Sequence, residues 1–333
     1  MRIFSHANYD FLGVRRRTYV LSAVALAVAL LAMAFYHFAT HSTWLNYGVD
    51  FTGGTIAQLE FAQPTEAADV RSALGGLGGD ASISQFGSDR EYIVRLPAFQ
   101  EEGTVISDRL SGMLEGAYGE GAATVARVEA VGPKVGNELQ LKALLAILAS
   151  FIVTLIYLAF RFELRFGVAA VIATVHDILI TLGFLAVTRM EISLATVAAV
   201  LTIIGYSLND TIIVFDRIRE NLERSGRRAD YKALINRSIN EVLPRTVMTS
   251  GTTLGALLAL ALLGGAIIRP FAIILIIGVV VGTYSSIFVA SPALLEIEER
   301  WKRKETRAGG GATSGPAKRS ATESPAAARS RAT

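Results

Sequence analysis

The chain has 333 residues, of which 52% are hydrophobic and only 18% charged, with a formal net charge of +3 and a positive mean hydropathy. That is too apolar for an ordinary soluble protein. Apolar runs of about 20 residues recur along it, which points to a polytopic helical membrane protein. The absence of cysteine excludes a disulfide framework and a thiolate metal site.

Arg15, Arg16 and Arg17 precede an unbroken apolar run at 19–38, long enough to span a bilayer. Ala32, Met33 and Ala34 imitate a signal-peptidase site, but the run is longer than a signal core and continues past them. The reading is therefore a retained first helix (18–38) after a cytoplasmic N-terminus (1–17), its start held inside by the three arginines.

Residues 43–138 are polar enough for one small soluble domain. A strand is expected at 55–61. A helix follows at 64–77, with Val70 and Leu74 on one face and Gly75, Gly76, Gly78 and Gly79 ending it. Two strands at 81–86 and 91–96 flank a Gly-Ser-Asp turn. A second helix covers 103–118, with Val105, Ile106, Leu110 and Leu114 facing inward, and a last strand covers 124–131. The order β-α-β-β-α-β predicts a ferredoxin-like α+β domain, with one small core. Its acids clearly outnumber its bases, as suits an extracytoplasmic position.

Five further apolar runs, at about 139–160, 166–187, 192–215, 246–266 and 271–294, complete a six-helix transmembrane bundle (139–295 for the last five). Basic residues gather in the N-terminus, in Arg161 and Arg165, in the 216–245 loop and in the tail. Outer loops carry little beyond Arg189 and Arg269. Charge and alternation agree on a multi-pass protein of the cytoplasmic (inner) membrane with both ends inside. The 216–245 loop (Arg217, Arg219, Arg224, Arg227, Arg228, Lys232, Arg237) is helical in pattern and is read as orienting the chain and touching anionic headgroups of membrane lipid. Residues 296–333 are expected to be a cytoplasmic basic tail, largely disordered beyond Trp301 and solvated rather than bound to lipid or RNA. No specific nucleic-acid partner is expected.

Asp210 is the residue the bundle must accommodate, because it lies inside an apolar run that ends in charge only at Asp216. A carboxylate there costs roughly 2.5–3.5 kcal/mol on insertion scales and needs a partner, a proton or water. Helical spacing puts Ser207, Asp210, Thr211 and Val214 on one face, with Asn209 flanking. In the fifth run Arg245, Thr249, Thr252 and Ala256 form a stripe, with Thr253 beside it. Arg245 at a helix end either snorkels or opposes Asp210, and the hydroxyls serve as packing glue or as part of a path. An arginine that approaches and leaves a carboxylate changes its grip on a proton, which would make a gate. His176 and Asp177 form a second intramembrane pair, structural or auxiliary. Gly251 with Gly255, and Gly278 with Gly282, suggest close helix packing.

There is no GxxxxGK[ST] loop, no HExxH and no convincing nucleophile elbow, so no enzyme chemistry, cofactor or metal is expected. Energy must come from an ion gradient or a partner. A proton crossing the membrane releases about 2.3 kcal/mol per 100 mV.

Four stretches carry a family resemblance: GVDFTGGT (48–55), VGPKVGNEL (131–139), GYSLNDTIIVFDRIREN (205–221) and PRTVMTSGTTL (244–254). With the six-span layout and single outer domain, the chain resembles the SecD/SecF family of protein-export membrane proteins, on its SecF side, within the resistance-nodulation-division superfamily. The resemblance implies a SecD-like partner beside the SecYEG channel. It also implies late export of unfolded polypeptide by the proton gradient, after the ATP-driven SecA motor has acted. It places the family's proton-relay aspartate at Asp210 and its arginine at Arg245, with a further carboxylate from the partner. Asp50 lies in a stretch read as a structural junction, its glycines allowing tight turns. The alternatives are a small-molecule exporter half of the same superfamily and a passive scaffold of the translocon.

Overall fold

The computed structural model describes residues 8–39, 43–75, 81–96, 103–225 and 230–310. Six helices are long and apolar enough to cross a membrane, and a small antiparallel sheet lies between the first two of them.

The sheet domain begins with a single helical turn, α2 (Val49–Thr52), and then β1 (Gly54–Phe61), α3 (Ala67–Ala73), β2 (Ser82–Phe86), β3 (Ser88–Leu96), α4 (Gly103–Tyr118) and β4 (Ala123–Val131). The strand order is β2-β3-β1-β4, with every neighbouring pair antiparallel. Alternation along β1 and β3 sends Ala57, Leu59, Phe61, Val94 and Leu96 to one face. There they meet Val70 and Leu74 next to α3 and Ile106, Leu110 and Leu114 of α4. Each fully buried leucine of this core contributes about 1.5–3 kcal/mol.

Two expectations change here. α3 is shorter than 64–77; its predicted stop at Gly76, Gly78 and Gly79 lies outside the described residues. Val105 is 51% exposed, because the inward stripe of α4 runs through 106, 110 and 114 and its neighbour one residue earlier falls about 100° off it. The tight turn before β3 sits at Gly87, whose φ of 82° suits a residue without a side chain.

The spans are α1 (Arg15–Phe38), α5 (Pro133–Arg161), α6 (Leu164–Thr188), α7 (Leu194–Ser225), α8 (Tyr231–Leu263), and a last continuous one built of α9 (Gly265–Ser285), a π-helical turn (Ser286–Ala290) and α10 (Ser291–Gly310). α5 starts six residues before the apolar run, because Pro133 at its first position begins the helix directly from β4. The 216–245 segment is the continuation of α7 and α8 beyond the apolar zone. α10 runs to Gly310, so the residues after Trp301 that were expected to be disordered are helical that far; 311–333 lie outside the described residues.

Small residues set the closest helix contacts. On α9, a side chain at Gly278 would strike Ile203 and one at Gly282 would strike Ser207, so α7 and α9 run side by side with matching steps of four residues. Gly183 of α6 lies against Ala29 of α1, and His176 lies against Ser22, both seven residues earlier in their helices. This heptad step is that of two parallel helices in a left-handed crossing. Gly251 and Gly255 meet nothing among the described residues.

At the end of the bundle away from the sheet, basic side chains are paired within the chain. Arg161 grips Asp216 through two bonds of 2.6 and 2.8 Å. Arg217 bonds Glu220 and Glu241, Arg224 bonds Glu220, and Arg237 bonds Glu241. Arg165 bonds Glu298 at 2.5 Å, and Lys302 stands over the Tyr231 ring. Arg224 and Arg237 remain largely exposed beside these partners, and Arg227 and Arg228 are outside the described residues. Residues 9–12, just before α1, are docked on α8. Asn240 exchanges two bonds of 2.9 Å with the backbone of Tyr9, and Asn236 bonds Leu12 N and Asp10.

Candidate functional site

Two buried carboxylates occupy the apolar interior, both 1% exposed, and α7 touches both. Asp210 of α7 faces α8 and α9. Its Oδ2 accepts long bonds from Ser250 (3.4 Å) and Thr283 (3.5 Å), which are themselves 2.7 Å apart. Its Oδ1 is buried with no hydrogen-bond partner, and so is Oγ1 of nearby-face Thr246. Asp177 of α6 is held differently. Its Oδ1 lies 2.9 Å from Nδ1 of His176, and its Oδ2 accepts from Ser285 (2.6 Å) and from Ser207. Three donors satisfy this carboxylate without a cation, whereas Asp210 has one oxygen unsatisfied and the other weakly bonded.

Ser207, Asp210, Thr211 and Val214 are all buried, on one face of α7. Ser207 nonetheless serves Asp177 rather than Asp210, and Thr211 donates to the carbonyl of Ser207. Asn209 is exposed. Arg245, Thr249 and Thr252 also lie on an exposed side of α8. The threonine hydroxyls bond their own helix, Thr249 to Arg245 O and Thr252 to Met248 O. No ion pair within 4 Å joins Arg245 to Asp210, but the arginine lies near enough to act on the carboxyl group through its charge. The inward face of α8 is one residue around, at Thr246 and Ser250, with Thr253 bonded to Tyr206. Sequence reasoning missed Ser250, Thr283, Ser285 and Ser22. Spacing held a signal for Ser250, four residues after Thr246, but the stripe was phased on the arginine.

The sheet domain is tied to this machinery by the 48–55 stretch. Asp50 accepts the backbone N–H of Leu194, the first residue of α7, at 2.8 Å. Gly53 (φ 74°) and Gly54 (φ 130°) turn the chain into β1. Gly53 lies against Pro133, and Gly136 against the backbone of Phe51, so the 48–55 and 131–139 stretches meet at the root of α5. Tyr47 bridges to Ile192, Asn46 bonds Arg189 O, and Arg95 of β3 pairs with Glu191.

Six apolar helices with acids buried between them and a small α+β domain inserted after the first define a multi-pass membrane protein of the kind that moves something across the bilayer. Residues 114–300 match the family described as "Protein export membrane protein SecD/SecF, C-terminal", and residues 39–65 match the "SecD/SecF GG Motif". The protein translocase subunit SecF of Gemmatimonas aurantiaca is 47% identical over 92% of each chain. That of Desulfurispirillum indicum is 47% identical over 86% of this chain and 92% of its own. Among solved structures, SecDF of Thermus thermophilus, a translocon-associated membrane protein, superposes with a TM-score of 0.75 at 40% identity. The match covers 91% of this chain and 40% of that longer one. The chain belongs to the SecD/SecF family of protein export membrane proteins.

Proposed function

We propose that the chain is an accessory subunit of the Sec protein translocase. It works with a SecD-like partner to complete the export of unfolded polypeptides, and Asp210 takes up and releases protons to power that step. The observation that carries this reading is Asp210 itself: a carboxyl group closed in by three helices, with one oxygen lacking any donor and Arg245 near enough to act on its charge without forming an ion pair. Such a group is costly to keep unless its proton occupancy is used. Arg245, Thr249 and Thr252 lie on an adjoining side of α8 left uncovered by the described residues, which suits a second half bringing its own carboxylate. The family's larger SecDF chain, of which this one matches 40%, supports such a pairing.

Movement of α7 on proton exchange would reach the outer domain through Asp50 and the 48–55 junction. That domain is read as a ferredoxin-like sandwich, supported by its order β2-β3-β1-β4 with both helices on one face. Both termini are read as cytoplasmic, supported by the arginines there. The SecYEG channel, the SecA motor and the exported chain follow from the family. No enzyme activity or cofactor is part of the reading.

Membrane vesicles carrying the translocase test it. Asp210→Asn should leave ATP-driven export without a gradient unchanged and abolish the extra export a proton gradient brings. Full stimulation in that variant overturns the reading.

A further inference from the structure

We infer that His176 and Asp177, with Ser22, Ser207 and Ser285, form a second proton-holding site, loaded through its own cleft and separately from Asp210.

The hydrogen bonds around His176 are what distinguish a proton site from a brace. Asp177 accepts from Ser207 and Ser285 through Oδ2, which leaves Oδ1 for Nδ1–H of His176 at 2.9 Å. Nε2 is then an acceptor, 3.2 Å from Oγ of Ser22. The same Ser22 hydroxyl is 3.3 Å from the phenol oxygen of Tyr284, whose own proton goes to Thr18 O at 3.0 Å. Ser22 thus has two acceptors for one proton. When Nε2 is bare, Ser22 donates to it. When Nε2 carries a proton, Nε2–H donates to Ser22, and the serine proton swings to Tyr284. No buried polar atom is orphaned in either state, so both are accessible without repacking. A ring that only braces two helices needs one tautomer and one partner on each side.

The site has an approach. His176 is 7% exposed and lines a cleft of about 550 Å³ between α1, α6 and α10, together with Tyr19, Ser22, Glu296 and Arg300. Glu296 and Arg300 mark its charged end, where α10 leaves the apolar zone. A proton from water in the cleft adds to Nε2, and the Nδ1 proton passes to Oδ1 of Asp177. This leaves a neutral ring protonated at Nε2 and a neutral carboxyl; the reverse transfer restores the starting state and returns one proton. The titratable and charged groups around the pair are Tyr19 on α1, Tyr284 on α9, Glu296 and Arg300 on α10, and Asp210 one turn beyond Ser207 on α7. Ser207 and Ser285 stand on the same two helices that hold Asp210 and Thr283, yet no hydrogen bond joins the two clusters. Two protonation events therefore act on one helix pair from opposite sides. A role in export rests on the function proposed above; the titration itself does not.

The test is ring-nitrogen NMR of this chain, labelled with ¹⁵N-histidine and reconstituted in lipid vesicles with its unlabelled partner. Its three other histidines, His6, His37 and His41, are replaced by glutamine. As pH is lowered the His176 ring should switch from the Nδ1–H to the Nε2–H tautomer, in the parent and in Asp210→Asn alike. Asp177→Asn, whose amide cannot take up the Nδ1 proton, should lose the switch. A single neutral tautomer throughout, or a switch that vanishes in Asp210→Asn, overturns the inference. If Asp177→Asn does not fold, the parent and Asp210→Asn spectra decide alone.

Discussion

The carboxylate of Asp50 accepts the backbone N–H of Leu194 at 2.8 Å, so a residue of the outer junction closes the first turn of the helix that carries Asp210. The first N–H groups of a helix have no partner of their own, and a side-chain oxygen at this place is worth about 1 kcal/mol. Asp50→Ala should lower the rate of export without lowering the amount of protein in the membrane, because α7 loses its hold on the outer domain. Asp50→Asn keeps an oxygen there and should retain most of the function. An asparagine variant as impaired as the alanine variant would show that charge, not capping, is what matters.

Close contact between α7 and α9 rests on Gly278 and Gly282. Gly282→Val should destabilise the chain in detergent by about 1–3 kcal/mol, since the added atoms meet Ser207. Gly251→Val points where none of the described residues lies, and its unfolding should match the parent. Loss of partner co-purification in that second variant would mark the α8 face as the place where the other half sits; equal destabilisation of both variants would refute the packing account.

Tyr47 and Ile192 lie side by side across an isolated parallel bridge. The chain has no cysteine, so Tyr47→Cys with Ile192→Cys gives a single possible disulfide. If the junction is a fixed pivot, the oxidised double variant exports as well as the reduced one. Export that stops on oxidation and returns on reduction would mean this bridge must open during the cycle.

The docked N-terminal segment should depend on acid pH. Hydrogen bonds from Asn236 and from Gly13 N hold the Asp10 carboxyl below its ordinary value of 3.8. A carboxyl lowered in the folded state stabilises the dock above its unfolded value, and that contribution disappears as pH falls through the folded one. Amide exchange at Leu12 and Gly13 should therefore stay slow at neutral pH and quicken only below about pH 3.8. Asn236→Ala should quicken it at neutral pH as well.

Much of the architecture was legible because membrane spans and small α+β domains both announce themselves through hydrophobic period and length. The burial of Asp210 followed from an apolar run that could not end before Asp216. Partner choice was not legible. Ser207 lies on the predicted face, but which acid it serves depends on where α6 and α9 pack, and the approach of α9 to α7 is set by Gly278 and Gly282. The inward side of α8 was placed about 100° off, since Arg245 drew the stripe toward itself. Ion pairing in the 216–245 segment was legible only within each helix, as in Arg217 with Glu220 three residues on; Glu241 becomes a neighbour of Arg217 only once α7 and α8 lie together.

The π-helical turn at Ser286–Ala290 gives the final span one surplus residue. Beyond it, every side chain is rotated by about 100° from where ordinary winding would have put it. The salt link from Glu298 to Arg165 and the stacking of Lys302 on Tyr231 depend on that offset. Removing a single amino acid there would leave the span long enough to cross, yet would turn its inner half like a misthreaded screw and unmake the charge lattice that fastens it to α6 and α8.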